Sequence, residues 1–304
     1  MEPRGHNKII VVLGPTSSGK SEVAIKLAKK FNGEIISADS RQVYRGLDVG
    51  SGKVTKAEQR LAKHWLLDIV GPKTDYNAAK FKKDADKIIA DILRRDKLPI
   101  ICGGTGFWIK AVVDNVAFPD VAPDKVLRNK LRSKTAAQLF AMLKKLDSIR
   151  AKNIDRHNPV RLIRAIEIAK TLGKVPALAT SHKLQTTNCP FLQIGIDVPK
   201  DKLQRNIRKR LEKRFAQGII KEVKDLHEKK KLSWKKIQRF GLGYFLIPLY
   251  LQDKISKADL FEKIYQAEKD YAKRQMTWFR RDVSISWLKK YEKIEKMTKT
   301  FLLK

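Results

Sequence analysis

Apolar positions along this chain keep two rhythms. Short runs rich in Ile and Val, "KIIVVLG" (8–14), "GEIISAD" (33–39), "KLPIICGG" (97–104) and "FLQIGID" (191–197), have the length and β-branched content of buried strands. "SISWL" (284–288) adds a short edge strand. Between the first two runs, "SEVAIKLAKKF" spaces its apolar residues as one helix face requires, and "AAKFKKDADKIIADILRRD" does so before the third. Strands alternating with helices predict an α/β fold, a parallel sheet flanked by helices.

Residues 117–188 break that alternation. They open on the turn-like "FPDVAPD" and continue through three helical patterns, "DKVLRNKLRSK", "AAQLFAMLKKLD" and "PVRLIRAIEIAKTLGK". They close in a polar stretch ending "SHKLQTTNCP", after which the strand pattern resumes. A helical block between two strands of one sheet reads as an inserted all-helical domain (117–188) in a core domain made of 1–116 plus 189–304. Beyond Lys200 the chain is helical and very basic, with no repeat and no low-complexity tract.

The charge changes the picture. Lys and Arg number 66 against 32 acids, a formal net charge of +34. A small-metabolite enzyme has no need of so positive a field; a polyanion does, and nucleic acid is the leading candidate. The plainer alternative is a lysine-rich solvated surface. Lysine dominates, which suits general phosphate attraction better than base reading. The two cysteines, Cys102 and Cys189, lie far apart without metal-ligand spacing, which excludes a zinc finger and fits a reducing compartment. Cys102 sits in an apolar run and reads as core. No stretch approaches the roughly 18 apolar residues of a membrane span. The polar start "MEPRGHNK" lacks the apolar centre of a signal peptide. A cytoplasmic protein without membrane contact is expected.

In an open parallel sheet, ligands gather at the carboxyl ends of the strands. After the first run comes "GPTSSGKS", in which Gly14, Gly19, Lys20 and Ser21 fit G-x-x-x-x-G-K-[ST] with a strand before and a helix after. Gly14, Pro15, Thr16, Ser17, Ser18 and Gly19 would wrap a phosphate largely through backbone N–H groups, Lys20 adds a point charge, and Ser21 is placed to hold Mg²⁺. The sheet is thus expected to be P-loop NTPase-like. "GLDVGSGKV" (46–54) imitates this loop, but five residues separate Gly46 from Gly52, no Ser or Thr follows Lys53, and no strand precedes it. It is rejected as a phosphate loop.

The second and third runs end in "DSRQVYR" (39–45) and "GGTGFW" (103–108), so three polar strand ends should converge on one crevice. An ATP-hydrolysing enzyme usually carries an acid at the end of a second apolar strand. Here the third run ends in Gly103, Gly104 and Thr105, and Asp68 follows only the short "HWLLDIV". Thr105 can hydrogen-bond a leaving-group oxygen but takes no proton at neutral pH, whereas Asp39 can take one. Together they suggest an amine or alcohol nucleophile deprotonated by Asp39, with a phosphate or diphosphate held by the loop and Thr105. The other reading of Asp39 is an Mg²⁺ ligand or a helix cap.

"SKADLFEKIYQAEKDYAKRQMTWFRRD" (256–282) predicts one long helix. Lys273 and Arg280 stand seven apart, as do Arg274 and Arg281, which brings each pair near one face. Such stripes suit a phosphate backbone; Tyr271 and Trp278, also seven apart, read as core. An upstream helix, "RNIRKRLEKRF" (205–215), adds Arg205, Arg208, Arg210 and Arg214.

In order along the chain, "GPTSSGKS", "DSRQVYRGLDVGSGK", "GGTGFW", "RLIRAIE", "GLGY" and "YAKRQMTWFRR" closely resemble the tRNA dimethylallyltransferases, prenyltransferases that modify adenosine 37 beside the anticodon. The resemblance runs over about residues 8–288. It implies that dimethylallyl diphosphate gives its five-carbon group to the N6 amine of that adenine and that Mg²⁺-diphosphate leaves. It implies Asp39 as general base on N6 and Thr105 as a contact to the leaving diphosphate, with Gly14, Pro15, Thr16, Ser17, Ser18, Gly19, Lys20, Ser21 and Arg210 around that diphosphate and Mg²⁺ on Ser21. It implies tRNA contacts at Asp39, Ser40, Arg41, Gln42, Val160, Arg161, Leu162, Ile163 and Arg164, to which Arg128 and the basic stripe of Lys273, Arg274, Arg280 and Arg281 are added as candidate contacts. The helical insertion would grip the anticodon stem-loop, the target base would flip from its stack, and the protein would act as a monomer. The chain departs from the family pattern at Gly50-Ser51-Gly52-Lys53-Val54, where G-T-A-K-P is usual, and at Asn206, where R-[IL]-x-x-R begins. A nucleotide kinase or an adenylate isopentenyltransferase would explain the loop but not the basic C-terminal third. A non-catalytic RNA-binding protein would explain the charge but leave Asp39 and Thr105 without a task.

Overall fold

The computed structural model describes residues 7–176 and 189–304; the "MEPRGH" start and most of the closing stretch "SHKLQTTNCP" lie outside the described residues. The chain divides into two compact units, residues 1–114 with 185–304, and residues 115–184. In the first unit β1 (Ile9–Leu13) runs to α1 (Lys20–Lys30), β2 (Gly33–Ala38) to α2 (Lys56–Leu61), β3 (His64–Trp65) to α3 (Ala78–Arg94), and β4 (Leu98–Gly103) to α4 (Gly106–Val113). The second unit holds α5 (Lys125–Arg132), α6 (Ala136–Leu146), α7 (Ser148–Lys152) and α8 (Pro159–Leu172). The first unit resumes with β5 (Phe191–Ile196), α9 (Lys200–Ala216), α10 (Ile219–Glu228), α11 (Trp234–Gln238), α12 (Gly243–Tyr250), α13 (Lys257–Phe279), β6 (Ser286–Leu288) and α14 (Tyr291–Leu303).

All strand pairs are parallel, in the order β3-β2-β4-β1-β5-β6. The five apolar runs become β1, β2, β4, β5 and β6. The sheet gains a sixth strand that the apolar pattern does not announce: β3 pairs only Ile35 with His64 and Ile36 with Trp65. Leu66 and Asp68 then take positive φ (61° and 56°), which ends the strand after two residues.

The order places β1 at the centre, and all five of its side chains are shut off from water. On one face Ile10 and Val12 cluster with Ile35, Ile100 and Ile194 of the neighbouring strands, with Ala24 and Leu27 of α1, and with Ile294 and Leu302 of α14. Burial of each such Val, Leu or Ile contributes roughly 1.5–3 kcal/mol. The chain reverses direction of winding on either side of β1, so the carboxyl ends of β1, β2 and β4 open onto a crevice at the switch point.

The second unit is all helical among its described residues. Asn158 caps α8 through its side chain, with Pro159 in the first turn. Leu162, Ala165 and Ile166 of α8 then pack on Leu131, Leu139, Leu143 and Ala151. Glu167, almost wholly buried, receives Arg128 at 2.7 Å, Arg164, and the Asp124 amide at 2.7 Å. Burial pushes the Glu167 carboxyl up, but these hydrogen bonds outweigh it and hold it below the usual carboxylate range.

Candidate active site at three strand ends

The chain leaves β1 through a loop in which Ser17 and Gly19 take left-handed φ values of 61° and 88°. Glycine adopts that region without a Cβ clash, and such turns aim successive amides into one concavity. The hydroxyls of Ser17 and Ser18 are buried with no hydrogen-bond partner among the described residues. Buried polar groups are normally satisfied, and a bound phosphate would supply the missing partner. Lys20 folds back over the loop, its Nζ donating to Pro15 O at 3.1 Å. Burial lowers the pKa of this amine; Cys102 and Asp39 oppose the shift and the Arg210 charge adds to it. Cys102 lies buried in β4 as expected, and burial pushes its thiol up to about 11.

At the end of β2, Asp39 Oδ1 accepts the amides of Arg41 (2.9 Å) and Gln42 (3.4 Å), a local turn made by the carboxylate itself. Oδ2 has no hydrogen bond among the described residues, and Asp39 lines the crevice. At the end of β4, the Thr105 amide donates to Ala38 O at 3.2 Å and the Ser40 amide donates to Thr105 Oγ1 at 3.1 Å. The two strand ends are therefore locked to each other in both directions.

Helices α9 and α13 close the crevice. Gln275 is buried and brackets two strand ends: its Oε1 accepts the Thr16 amide at 2.8 Å, and its Nε2 donates to Gly104 O at 2.8 Å. Gly104 is where this needs glycine, since a Cβ there would stand 2.3 Å from Gln275 Nε2. Arg210 donates to Thr16 Oγ1 (3.0 Å) and to Gly52 O (2.9 Å), and Asn206 donates to Ser17 O (3.2 Å). Arg41 donates from Nε to Phe240 O at 2.6 Å while its guanidinium lies over the Tyr271 ring. Gln42 reaches Gly52 O at 3.3 Å. The space enclosed is about 440 Å³ and is lined by the phosphate loop, Asp39, Arg41, Gln42, Arg210, Tyr271 and Gln275.

Several expectations change. Tyr271 is no core residue but a wall of the crevice, and Trp278 is 38% exposed, lining a shallow groove with Lys273, Arg274 and Arg281. Arg280 turns away from that groove and lies over Trp287. Arg208 and Arg214 are not free surface cations: Arg208 pairs with Glu262, and buried Arg214 pairs with Glu268 and donates to Gly50 O. Leu162, taken as an RNA contact, is fully buried in the helical core, so its side chain cannot reach a ligand; Ile163 also packs on that core. Val160 and Arg161 are exposed, while Arg128 and Arg164 are committed to Glu167. Asp68 is held by Lys53 rather than at the crevice. Sequence reading missed Gln275 and Asn206 as loop supports, because their partners lie 259 and 189 residues away.

No three His, Cys, Asp or Glu side chains cluster as a metal site among the described residues. Mg²⁺ does not require such a cluster, because it keeps several waters and binds through one or two side chains and substrate phosphates. Ser21, which lines the crevice beside the loop, is an oxygen donor suited to that manner of binding.

A phosphate loop, a carboxylate and a hydroxyl at three adjacent parallel strand ends define a P-loop α/β protein. A family model described as IPP transferase matches residues 42–282. A tRNA dimethylallyltransferase of Pelotomaculum thermopropionicum is 39% identical over 286 residues, covering 92% of this chain and 90% of the relative. One from Staphylococcus epidermidis is 40% identical, covering 93% and 86%. The structure of a tRNA isopentenylpyrophosphate transferase from Bacillus halodurans superposes with a TM-score of 0.73 at 30% identity, covering 97% of each chain. That of a eukaryotic dimethylallyltransferase acting on tRNA gives 0.78 at 26% identity, covering 93% of this chain and 73% of that one. The chain belongs to the IPP transferase family.

Proposed function

We propose that this protein, as a monomer, transfers the dimethylallyl group of dimethylallyl diphosphate to N6 of adenosine 37 in tRNA and releases diphosphate. The observation that carries this reading is the phosphate loop held against the Asp39 and Thr105 strand ends by Gln275 and by the Ser40–Thr105 hydrogen bond. The loop amides, Lys20 and Arg210 hold the diphosphate. Ser21 would hold Mg²⁺ together with phosphate oxygens, and that ion, when bound, neutralises charge on the leaving group. The C–O bond between the allyl carbon and the diphosphate breaks, its electron pair leaves with the diphosphate, and a bond forms from N6 to that carbon. N6 gives up a proton to Asp39 Oδ2, and the Thr105 hydroxyl donates to the departing oxygen. The net charge of +34 supports a polyanionic acceptor, with Lys273, Arg274, Arg281, Val160 and Arg161 as exposed contacts. The reading is tested by incubating the protein with labelled dimethylallyl diphosphate, Mg²⁺ and either bulk tRNA or AMP. Label in tRNA is expected; label in AMP alone would overturn it.

A further inference from the structure

Within the rejected look-alike of the phosphate loop (46–54), residues 47–53 form an anion-binding turn, and the anion it holds belongs to the protein. Three successive amides, those of Asp48 (2.7 Å), Val49 (2.6 Å) and Gly50 (2.9 Å), donate to one carboxylate, that of Glu222. The first two share Oε2 and the third takes Oε1, where the Tyr244 hydroxyl also donates at 2.8 Å. Glu222 stands in the first turn of α10, where the helix end favours a negative charge. Tyr244 is fully buried; burial, and after it the Glu222 charge, raises its pKa well above the usual phenol value, so it remains a donor.

The carbonyls of these same peptide units close the turn, Val49 O accepting the Gly52 amide and Asp48 O the Lys53 amide, each at 3.0 Å, which fixes the two carbonyls that follow. Gly50 O accepts from Arg214 at 3.1 Å, and Gly52 O accepts from Arg210 at 2.9 Å. Arg210 spends its second terminal nitrogen on Thr16 Oγ1, in the phosphate loop. The guanidinium is thus held between two loops. The loop on the far side has no partner for its three amides among the described residues except Glu222.

We propose that Glu222 is a positioning residue for the allyl-donor site: it shapes residues 47–53 so that Gly52 O aims Arg210 at the phosphate loop. The proposal rests on the reading of that loop as the diphosphate site. A carboxylate accepts all four hydrogen bonds, whereas a carboxamide turns an NH₂ toward the Gly50 amide or the Asp48 and Val49 amides.

The test is steady-state transfer to tRNA by the full chain. Glu222→Gln is expected to raise KM for dimethylallyl diphosphate about 10-fold and leave KM for tRNA within about twofold. Arg210→Gln should raise the same KM, and Glu222→Gln combined with Arg210→Gln should be no worse than Arg210→Gln alone, within about twofold. A merely structural role would add its effect to that of Arg210 and shift both KM values. If Arg210→Gln raises KM for the diphosphate while Glu222→Gln does not, or if the two effects multiply, the proposal is overturned. If Arg210→Gln leaves that KM unchanged, the proposal also falls, yet continued labelling of tRNA keeps the proposed reaction. Should Glu222→Gln fail to fold by circular dichroism, Tyr244→Phe removes one of the four hydrogen bonds. A KM rise of about threefold, lost in the Arg210→Gln background, then supports the proposal, and no rise overturns it.

Discussion

The Ser40 amide donates to the Thr105 hydroxyl oxygen at 3.1 Å, while the Thr105 amide donates back across the sheet to Ala38 O at 3.2 Å. Because the oxygen is already an acceptor, the Thr105 hydroxyl proton is directed away from the Ser40 amide. One side chain therefore joins two strand ends and keeps a proton of its own to donate.

In the proposed reaction that proton goes to the departing oxygen, a role separable from joining the strands. Thr105→Val keeps the shape and should lower single-turnover transfer by roughly 100-fold, the usual effect of losing one donor to developing negative charge. Thr105→Ser should retain most of the rate. Equal losses in the two variants, followed by rapid quench, would remove the hydroxyl from the reaction.

In the proposed reaction Asp39 divides its two oxygens between structure and chemistry. Oδ1 fixes the turn through the Arg41 and Gln42 amides. Asp39→Asn preserves an acceptor there but removes the base, so transfer should fall about 10²–10⁴-fold with tRNA affinity little changed. A filter-binding assay showing lost tRNA affinity would make the residue structural instead.

Neighbouring residues on α8 should separate binding from folding. Arg161 is exposed, so Arg161→Ala should weaken tRNA binding, reduce its log–log salt slope by about 0.7–0.9, and leave stability within about 0.5 kcal/mol. Leu162 is fully buried, and Leu162→Ala should destabilise the helical unit by about 2–5 kcal/mol. Lys273→Ala and Arg281→Ala should behave as Arg161→Ala does, since both side chains line the exposed groove of α13.

Glu34 gives the stability a pH dependence. Its nearly buried carboxylate is bonded by Arg95, Lys97 at 2.8 Å and the Trp65 indole at 2.7 Å. The Arg95 hydrogen bond leads in pulling the carboxyl from 4.5 down to about 2, against the cost of burial. Unfolding then takes up a proton below the ordinary value, so this contribution is present above about pH 4.5 and lost as pH falls toward 2. Glu34→Gln should flatten that part of the stability curve and cost about 2 kcal/mol at neutral pH, because Lys97 then loses its carboxylate and Arg95 keeps only Asp91.

Legibility in the sequence followed the range of the physics. Hydrophobic spacing repeats over a few residues, so β1, β2, β4, β5 and α13 could be read directly, as could the phosphate loop, whose strand, glycines and Lys20 are contiguous. Two-residue β3 carries no period of its own and exists because β2 offers it an edge. Trp278 has the spacing of a core residue, yet its ring lies over Gly106 at an exposed surface. Arg208, Arg210 and Arg214 look alike in a basic helix. One meets Glu262, one reaches the phosphate loop, and one is buried on Glu268.

By itself the sequence determined the α/β class, the helical insertion, the phosphate loop and the positive field, because each is local in the chain or additive over it. Only the tertiary structure decided which polar groups face the crevice and what holds them there. Gln275 bridges Thr16 and Gly104, and Glu222 gathers the amides of Asp48, Val49 and Gly50, across separations of more than 170 residues. Hydrogen-bond partners at that distance leave no spacing in the chain; they are chosen only when the sheet order and the packing of α9, α10 and α13 bring them within about 3 Å.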